Sequence, residues 1–155
     1  MASEVLKLVT AGASANLRER REALGLSVTE MGHQLPIGED WYHDLEHDDE
    51  EIFSNVSLIT LSLILRLIGI SWGDLFSSED KWPVEYQSFE ELKQQVETWK
   101  SKGGRSTDEL SELVGYDLHD FVSDASSARD WNLECLLKLC QIVGVDWREY
   151  LSGLN

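Results

Sequence analysis

Apolar residues recur along this chain every three or four positions, and glycine, proline and small polar clusters interrupt them at short intervals. That spacing is typical of amphipathic α-helices, and the strict alternation of a half-buried strand is rare. The first part of the chain is predicted to form helices over residues 15–24, 28–35, 39–46, 58–68 and 71–76. The second part is predicted to form helices over residues 89–101, 107–114, 118–124, 132–143 and 146–151. We therefore expect an all-α fold.

The helix pattern is repeated within the chain. The sequence LRLIGISWGDLF, residues 65–76, aligns with CQIVGVDWREYL, residues 140–151, and the apolar positions, the glycine and the tryptophan coincide at an offset of 75. SVTEMGHQL from Ser27 aligns with STDELSELV from Ser106 at an offset of 79, and in both copies the pattern S-x-x-E predicts a capping box. The difference between the offsets falls in loops, where changes in length cost little. The chain is therefore predicted to contain two copies of one helical unit.

Composition indicates a folded chain with a strongly acidic surface. Of 155 residues, 42% are hydrophobic and six are tryptophan, which is too much apolar material for a disordered polypeptide. Acidic residues number 29 and basic residues 13, so the formal net charge is -16. The negative electrostatic potential of such a protein repels phosphate polymers and attracts basic partners. The alternative interpretation is that the acidic surface only keeps the protein soluble.

The stretch LRERREALGLSVTEMGHQLPIGEDWYHDLE carries a family resemblance. It has a first helix rich in basic residues, a second helix with the apolar residues Met31 and Leu35, and a turn at Pro36-Ile37. The third helix has Tyr42 and Leu45 inward and Glu46 at its end. This arrangement resembles the Cro/C1-type (XRE family) helix-turn-helix domain, and SLITLSLILRLIGISWGDLF resembles the last two helices of that family. The match covers residues 17–76. The second copy resembles the family mainly through its repeat relation to the first.

The resemblance implies two tandem five-helix, lambda-repressor-like helix-turn-helix domains. We expect an N-terminal extension over residues 1–16, a first domain over 17–76, a linker over 77–91 and a second, divergent domain over 92–155. Relatives often dimerise through their fourth helices, so the resemblance also makes a homodimer possible.

The third helix departs from the family in its charge. The family function is sequence-specific DNA binding, with the third helix in the major groove offering Arg, Lys, Gln, Asn or Ser to base edges. Here residues 38–51 hold eight acidic residues among fourteen and no Lys or Arg. Val28 also replaces a glutamine that contacts phosphate in the family. Residues 17–76 carry four basic and twelve acidic residues, and residues 77–155 eight and sixteen, so each copy lacks the cations that provide DNA affinity.

We therefore expect the third helices to bind a basic protein, such as a toxin or a nucleic-acid-binding protein, as an immunity protein, antitoxin or DNA mimic does. The first acidic face consists of Glu39, Asp40, Trp41, His43, Asp44, His47 and Asp48. The second acidic face consists of Asp117, His119, Asp120 and Asp124. Trp41, surrounded by charge, is predicted to anchor the interface. The alternative is that its ring folds back over Pro36 and Ile37.

Two other functions stay open. The first is an XRE-family transcriptional regulator whose phosphate contacts come from basic spots at Arg18, Arg20, Arg21, Lys100, Lys102 and Arg105. The second is a structural adaptor in which the acidic residues are only solvated and the fourth helices form the contact surface. A steep loss of partner binding with salt would favour the electrostatic interpretation over the adaptor.

No catalytic residue, metal site or cofactor is predicted. His43 and His47 lie four positions apart on one helix, which suits two zinc ligands, but HDLEH lacks the HExxH arrangement and a third ligand. Neither a glycine-rich phosphate loop nor a nucleophile elbow is present in the sequence. We therefore expect a binding protein rather than an enzyme.

The remaining sequence features concern packing and location. Cys135 and Cys140 lie within an apolar helical pattern at a spacing that favours two buried thiols. Trp72 and Trp147 occupy equivalent repeat positions and are expected to pack within their own copies. The N-terminal sequence lacks the features of an export signal, and the longest apolar run is interrupted by Arg66. We therefore expect a cytoplasmic protein without a membrane span.

Overall fold

A computed structural model describes residues 6–77, 82–83, 85–151 and 154. In these residues the structure is helical and has no strand, which confirms the predicted all-α class. The α-helices of the N-terminal half, residues 6–77, are α1 Ala13–Ala23, α2 Val28–Gln34, α3 Gly38–Leu45, α4 Leu58–Ile68 and α5 Trp72–Phe76. Those of the C-terminal half, residues 85–151, are α6 Phe89–Gly103, α7 Thr107–Val114, α8 His119–Ser123, α9 Leu133–Val143 and α10 Arg148–Leu151.

Three short helical segments supplement the α-helices. Leu8–Thr10 forms a 3-10 turn before α1, Glu51–Asn55 forms a π-helical segment before α4, and Ala125–Asp130 forms a 3-10 segment before α9. The last two hold the same place in the two halves, between the third and fourth helices of the repeat. Both lie in stretches that the apolar pattern assigns to loops.

Side-chain caps fix where many of the helices begin. Ser27 and Ser106 each accept a hydrogen bond from the backbone N–H three residues later, at 3.0 and 3.1 Å, as the S-x-x-E pattern predicts. The reciprocal bond of a capping box is formed at the starts of α5 and α6, at Ser71 and Ser88. At α2 the carboxylate of Glu30 instead accepts a hydrogen bond from the Ser27 hydroxyl, so the predicted box is only partly formed.

Helix α1 begins two residues earlier than predicted because a distant carboxylate caps it. Asp49 accepts hydrogen bonds from the backbone N–H groups of Gly12 and Ser14, both at 2.9 Å. A carboxylate at this position also interacts favourably with the positive end of the helix dipole. Asp49, which belongs to the acidic stretch over residues 38–51, therefore stabilises the start of α1.

The two halves share one continuous apolar core, which runs from Ala13 to Leu154. The π-helical segment of the N-terminal half packs on α9, and the 3-10 segment of the C-terminal half packs on α4. Hydrogen bonds cross the same junction: the Leu58 N–H donates to the Trp131 carbonyl, and the Asn132 side chain donates to the Ser54 carbonyl, both at 2.7 Å. The junction is therefore held by apolar packing and by polar contacts.

The tryptophans at the equivalent repeat positions do not pack alike. Trp72 stacks on Phe76 within the N-terminal half, as predicted, with ring centroids 6.1 Å apart. Trp147 lies edge-on to Phe76 and to Trp82, with both centroid distances at 5.7 Å. The prediction that Trp147 packs within its own copy is therefore wrong. Its ring meets aromatic rings from before the C-terminal half, where edge-to-face pairing is favourable.

Two further expectations concern buried groups and the membrane. Cys135 and Cys140 are free, buried thiols, as predicted, and burial raises the pKa of Cys135 to about 12. In the described part of the chain, none of the helices combines the length and apolarity needed to cross a lipid bilayer.

Candidate protein-binding site

The position of α3 depends on a close approach between two helices. Gly32 of α2 faces the start of α3, and a Cβ at this position would lie 2.6 Å from the Glu39 Cα and 2.7 Å from its backbone nitrogen. Only a residue without a side chain fits there. The Thr29 hydroxyl also donates a hydrogen bond to the Glu39 carboxylate at 2.8 Å. Helices α2 and α3 are therefore held in close contact at Glu39, where the first acidic face begins.

The inner side of α3 is anchored in the core. Tyr42 and Leu45 are fully buried, as predicted. Glu46, which follows the helix, is also fully buried, and its two carboxylate oxygens accept hydrogen bonds from Arg21 at 2.6 and 2.8 Å. Hydrogen bonding to Glu46 raises the pKa of Arg21, which keeps the guanidinium charged. This carboxylate supports the helix from inside and is not available to a partner.

The outer side of α3 presents most of the first acidic face to solvent. Asp40, His43 and Asp44 are exposed, and Trp41 retains 38% of its accessible surface. The His43 ring lies 3.8 Å from the Asp44 carboxylate and stacks on His47, with ring centroids 4.2 Å apart. The predicted members of this face therefore lie together on one solvent-exposed surface.

The carboxylates after α3 also make local contacts. Asp48 is exposed and accepts a hydrogen bond from the Glu50 N–H at 2.9 Å. Glu50 lies 3.2 Å from the Lys7 ammonium, and Asp49 caps α1. Asp48 therefore lies at the edge of the first acidic face and also stabilises the turn that follows α3.

The second acidic face is organised around a histidine. The Asp117 carboxylate lies 2.7 Å from Nδ1 of His119 and accepts its backbone N–H at 2.9 Å. The other ring nitrogen of His119 lies 2.9 Å from Asp108 on α7. The hydrogen bond to Asp117, together with the negative charges of Asp117 and Asp108, raises the pKa of His119. Asp120 is exposed beside this cluster.

Asp124 has a different environment from the other members of the second face. Its carboxylate accepts hydrogen bonds from the backbone N–H and the hydroxyl of Ser126, at 3.0 and 2.8 Å. The bonds from Ser126 lower the pKa of Asp124. The residue begins the 3-10 segment before α9, so its contacts are those of a helix cap.

Several basic side chains that the DNA-binding alternative requires make contacts within the chain. Arg18 donates to the Glu46 carbonyl at 3.1 Å, and Arg20 donates to the Ile68 carbonyl at the end of α4 at 2.9 Å. Arg21 is held by the buried Glu46 carboxylate. These contacts fix the positions of Arg18 and Arg20 but use only one N–H group of each guanidinium, whereas Arg21 is buried against Glu46.

The basic residues near α7 have similar internal contacts. Lys100 donates to the Thr107 hydroxyl at 2.9 Å and lies 3.2 Å from the Glu97 carboxylate. The Arg105 guanidinium lies over the Trp99 ring, 4.7 Å from its centroid. These contacts join the end of α6 to the start of α7.

A groove at the junction of the halves was not predicted from the sequence. It has a volume of about 490 Å³, and its walls include Trp41 and Ile37 from one half and Tyr116 and Trp131 from the other. Trp41 lines this groove together with Pro36 and Ile37, and its side chain stays partly exposed. Its position therefore has features of an exposed interface anchor and of a ring that lies near Pro36 and Ile37. Ile37 and Tyr116 are equivalent positions of the repeat, but the repeat alone does not show that the two positions meet at one groove.

The site was also assessed for metal ligands and compared with known proteins. In the residues that the structure describes, no three His, Cys, Asp or Glu side chains are placed to hold a metal ion. Comparisons of this chain with protein-family models, with characterised proteins and with solved structures find no match.

Proposed function

We propose that this chain is a non-enzymatic binding protein that captures and inhibits a basic protein partner, in the manner of an immunity protein, an antitoxin or a DNA mimic. Its two halves act as tandem helix-turn-helix domains, residues 17–76 and 92–155, whose third helices face a protein instead of DNA. The observation that carries the proposal is the outer surface of α3. That surface presents carboxylates and an aromatic ring, and the segment over residues 38–51 contains no Lys or Arg.

Electrostatic attraction and aromatic contacts have separate roles in this proposal. The net charge of -16 attracts a basic protein over several ångströms and raises the rate of association. The lifetime of the complex then depends on short-range contacts, because affinity differences reside mostly in dissociation rates. Trp41, exposed at 38% and adjacent to Asp40, is suited to supply those contacts.

DNA binding is less well supported by the same surface. Each phosphate that a protein contacts is usually neutralised by Lys or Arg, which provides most of the non-specific affinity. Arg18, Arg20 and Arg21 donate to groups within the chain. A transcriptional regulator would have to contact phosphates with the remaining N–H groups of Arg18 and Arg20 and overcome the repulsion of the acidic residues.

Charge reversal on α3 tests the proposal. The variant with Glu39→Lys, Asp40→Lys and Asp44→Lys is compared with one carrying Glu19→Lys, Glu85→Lys and Glu97→Lys, since all six residues are exposed. Both variants raise the formal net charge by six units, two for each reversed residue. Immobilised wild-type protein and both variants are incubated with a nuclease-treated lysate of the source cell, and retained proteins are identified by mass spectrometry.

We expect the wild-type and control proteins to retain the same basic protein and the α3 variant to lose it. Equal retention by all three proteins would exclude the first acidic face as the binding surface. Equal loss from both variants would show that overall charge, and not the first acidic face in particular, determines binding. Circular dichroism establishes that each variant is folded.

A further inference from the structure

The two halves meet through equivalent elements. The segment before the fourth helix of each half, Glu51–Asn55 or Ala125–Asp130, packs on the fourth helix of the other half. Reciprocal contacts of this kind define a self-complementary interface, as in a two-fold symmetric dimer. The chain therefore contains an internal pseudo-dimer, and positions that are equivalent in the repeat meet near its axis.

The groove lies at this pseudo-two-fold junction. Ile37 and Tyr116 are repeat-equivalent at the offset of 79, Val56 and Trp131 at the offset of 75, and all four line the groove. Val56 is buried at its floor, and Trp131 is partly exposed. The volume of about 490 Å³ falls within the range of roughly 300–1,000 Å³ that is usual for binding sites.

Trp41 has an aromatic face without a partner in the described part of the chain. Each of the other five tryptophans has a ring or cation neighbour: Trp72, Trp82, Trp99, Trp131 and Trp147. Two of them, Trp82 and Trp99, already lie beneath an arginine of the chain itself. Trp41 has the same chemistry, is 38% exposed and borders the groove.

One carboxylate lines the groove, and two others are sequence neighbours of its aromatic residues. Asp130 lines it directly, Asp40 precedes Trp41 in the chain, and Asp117 follows Tyr116. The polar groups inside the groove are already hydrogen-bonded, since Tyr116 donates to Glu134 at 2.6 Å and Asn132 donates to Tyr116 at 3.0 Å. An incoming group therefore meets aromatic faces and the Asp130 carboxylate.

We propose that the junction groove is an arginine-selective anchor for the basic partner. This inference rests on the proposed function and names the chemistry of the partner segment: an exposed arginine-rich stretch. A guanidinium group can stack on the Trp41 ring and at the same time donate to carboxylates in its plane. A lysine ammonium is a more strongly hydrated point charge without a planar face, and it gains less from the same surroundings. The groove adds selectivity that the acidic faces alone do not provide.

Binding of two synthetic peptides tests the inference. Fluorescein-labelled nona-arginine and nona-lysine are titrated with wild-type protein at one fixed ionic strength, and fluorescence anisotropy gives both dissociation constants. We expect nona-arginine to bind about fivefold more tightly, the upper value for one exposed guanidinium–indole contact. Trp41→Ala should remove this preference, because it weakens nona-arginine binding more than nona-lysine binding. Tyr86→Ala, which removes a 59% exposed aromatic ring outside the junction groove, should leave the preference intact.

The outcomes separate the inference from the proposed function. Equal affinity for the two peptides, or a preference that survives Trp41→Ala, would overturn the arginine anchor and leave the charge-based function standing. Failure of both peptides to bind wild-type protein would contradict the proposed function itself. Self-association of the wild-type chain that Trp41→Ala abolishes would assign the groove to a second copy and also overturn the inference.

Discussion

Carboxylates that are close in the sequence have different roles in this protein because their surroundings differ. Glu46 is buried and paired with Arg21, and Asp49 caps α1. Asp40 and Asp44 are exposed on the outer side of α3. The excess of acid in the sequence indicated an acidic surface, but it could not separate the residues that stabilise the fold from those that face solvent.

The buried pair gives the first prediction. Glu46→Gln removes one charge and leaves the Arg21 guanidinium buried without its counter-ion, so we expect a loss of about 3–5 kcal/mol in the free energy of unfolding. Asp44→Asn, on the exposed side of the same helix, should change it by less than about 0.5 kcal/mol. Urea denaturation followed by circular dichroism measures both. Equal stability of the two variants would show that the pair does not support α3.

The second prediction concerns the protonation of His119. Its pKa is raised above 6.5 by the hydrogen bond to Asp117 and the charge of Asp108. The stability from this cluster is therefore fully present below the unfolded-state pKa of about 6.5 and is lost as pH rises through the higher folded-state value. Titration of the ring protons by NMR should give a pKa above that of unfolded histidine. Asp117→Asn should lower it, and an unchanged value would contradict the contact.

Between helices, the close approach of α2 and α3 determines how the first acidic face is presented. Gly32→Ala places a methyl group within 2.6–2.9 Å of Glu39, including its backbone, and the two helices must separate to accommodate it. We expect a loss of about 1–3 kcal/mol in the free energy of unfolding together with weaker partner capture. Gly103→Ala is the matched control, since the atoms nearest to its Cβ, at 3.1–3.3 Å, belong to the flexible Arg105 side chain. Equal urea midpoints for the two variants would contradict this account.

Helix positions were predictable because their signals are local. Each predicted α-helix boundary lies within two residues of the observed one, since apolar spacing and serine caps act over single turns. The segments Glu51–Asn55 and Ala125–Asp130 were missed. Both segments pack against the opposite half, and the apolar spacing of the sequence does not encode that contact.

At the scale of the whole molecule, the internal repeat shows which helices are duplicated, but it does not show how the two halves pack against each other. The sequence placed Trp72 and Trp147 at equivalent positions, yet the structure gives them different neighbours. The groove beside Trp41 likewise arises only when the halves pack together. Exposed residues of the candidate site were therefore accessible to sequence reasoning, but the cavity between them depended on long-range packing.

The central claim is that the acidic faces bind a basic protein and not DNA. A single competition experiment tests it most directly: immobilised wild-type protein is offered sheared DNA and the protein extract of the source cell together at low salt. Retained proteins are identified by mass spectrometry and retained DNA by sequencing. We predict retention of a basic protein, released by raising the salt concentration, without enrichment of any DNA sequence. Recurrent enrichment of one DNA fragment that persists after protein is removed from the extract would contradict the account and identify a transcriptional regulator.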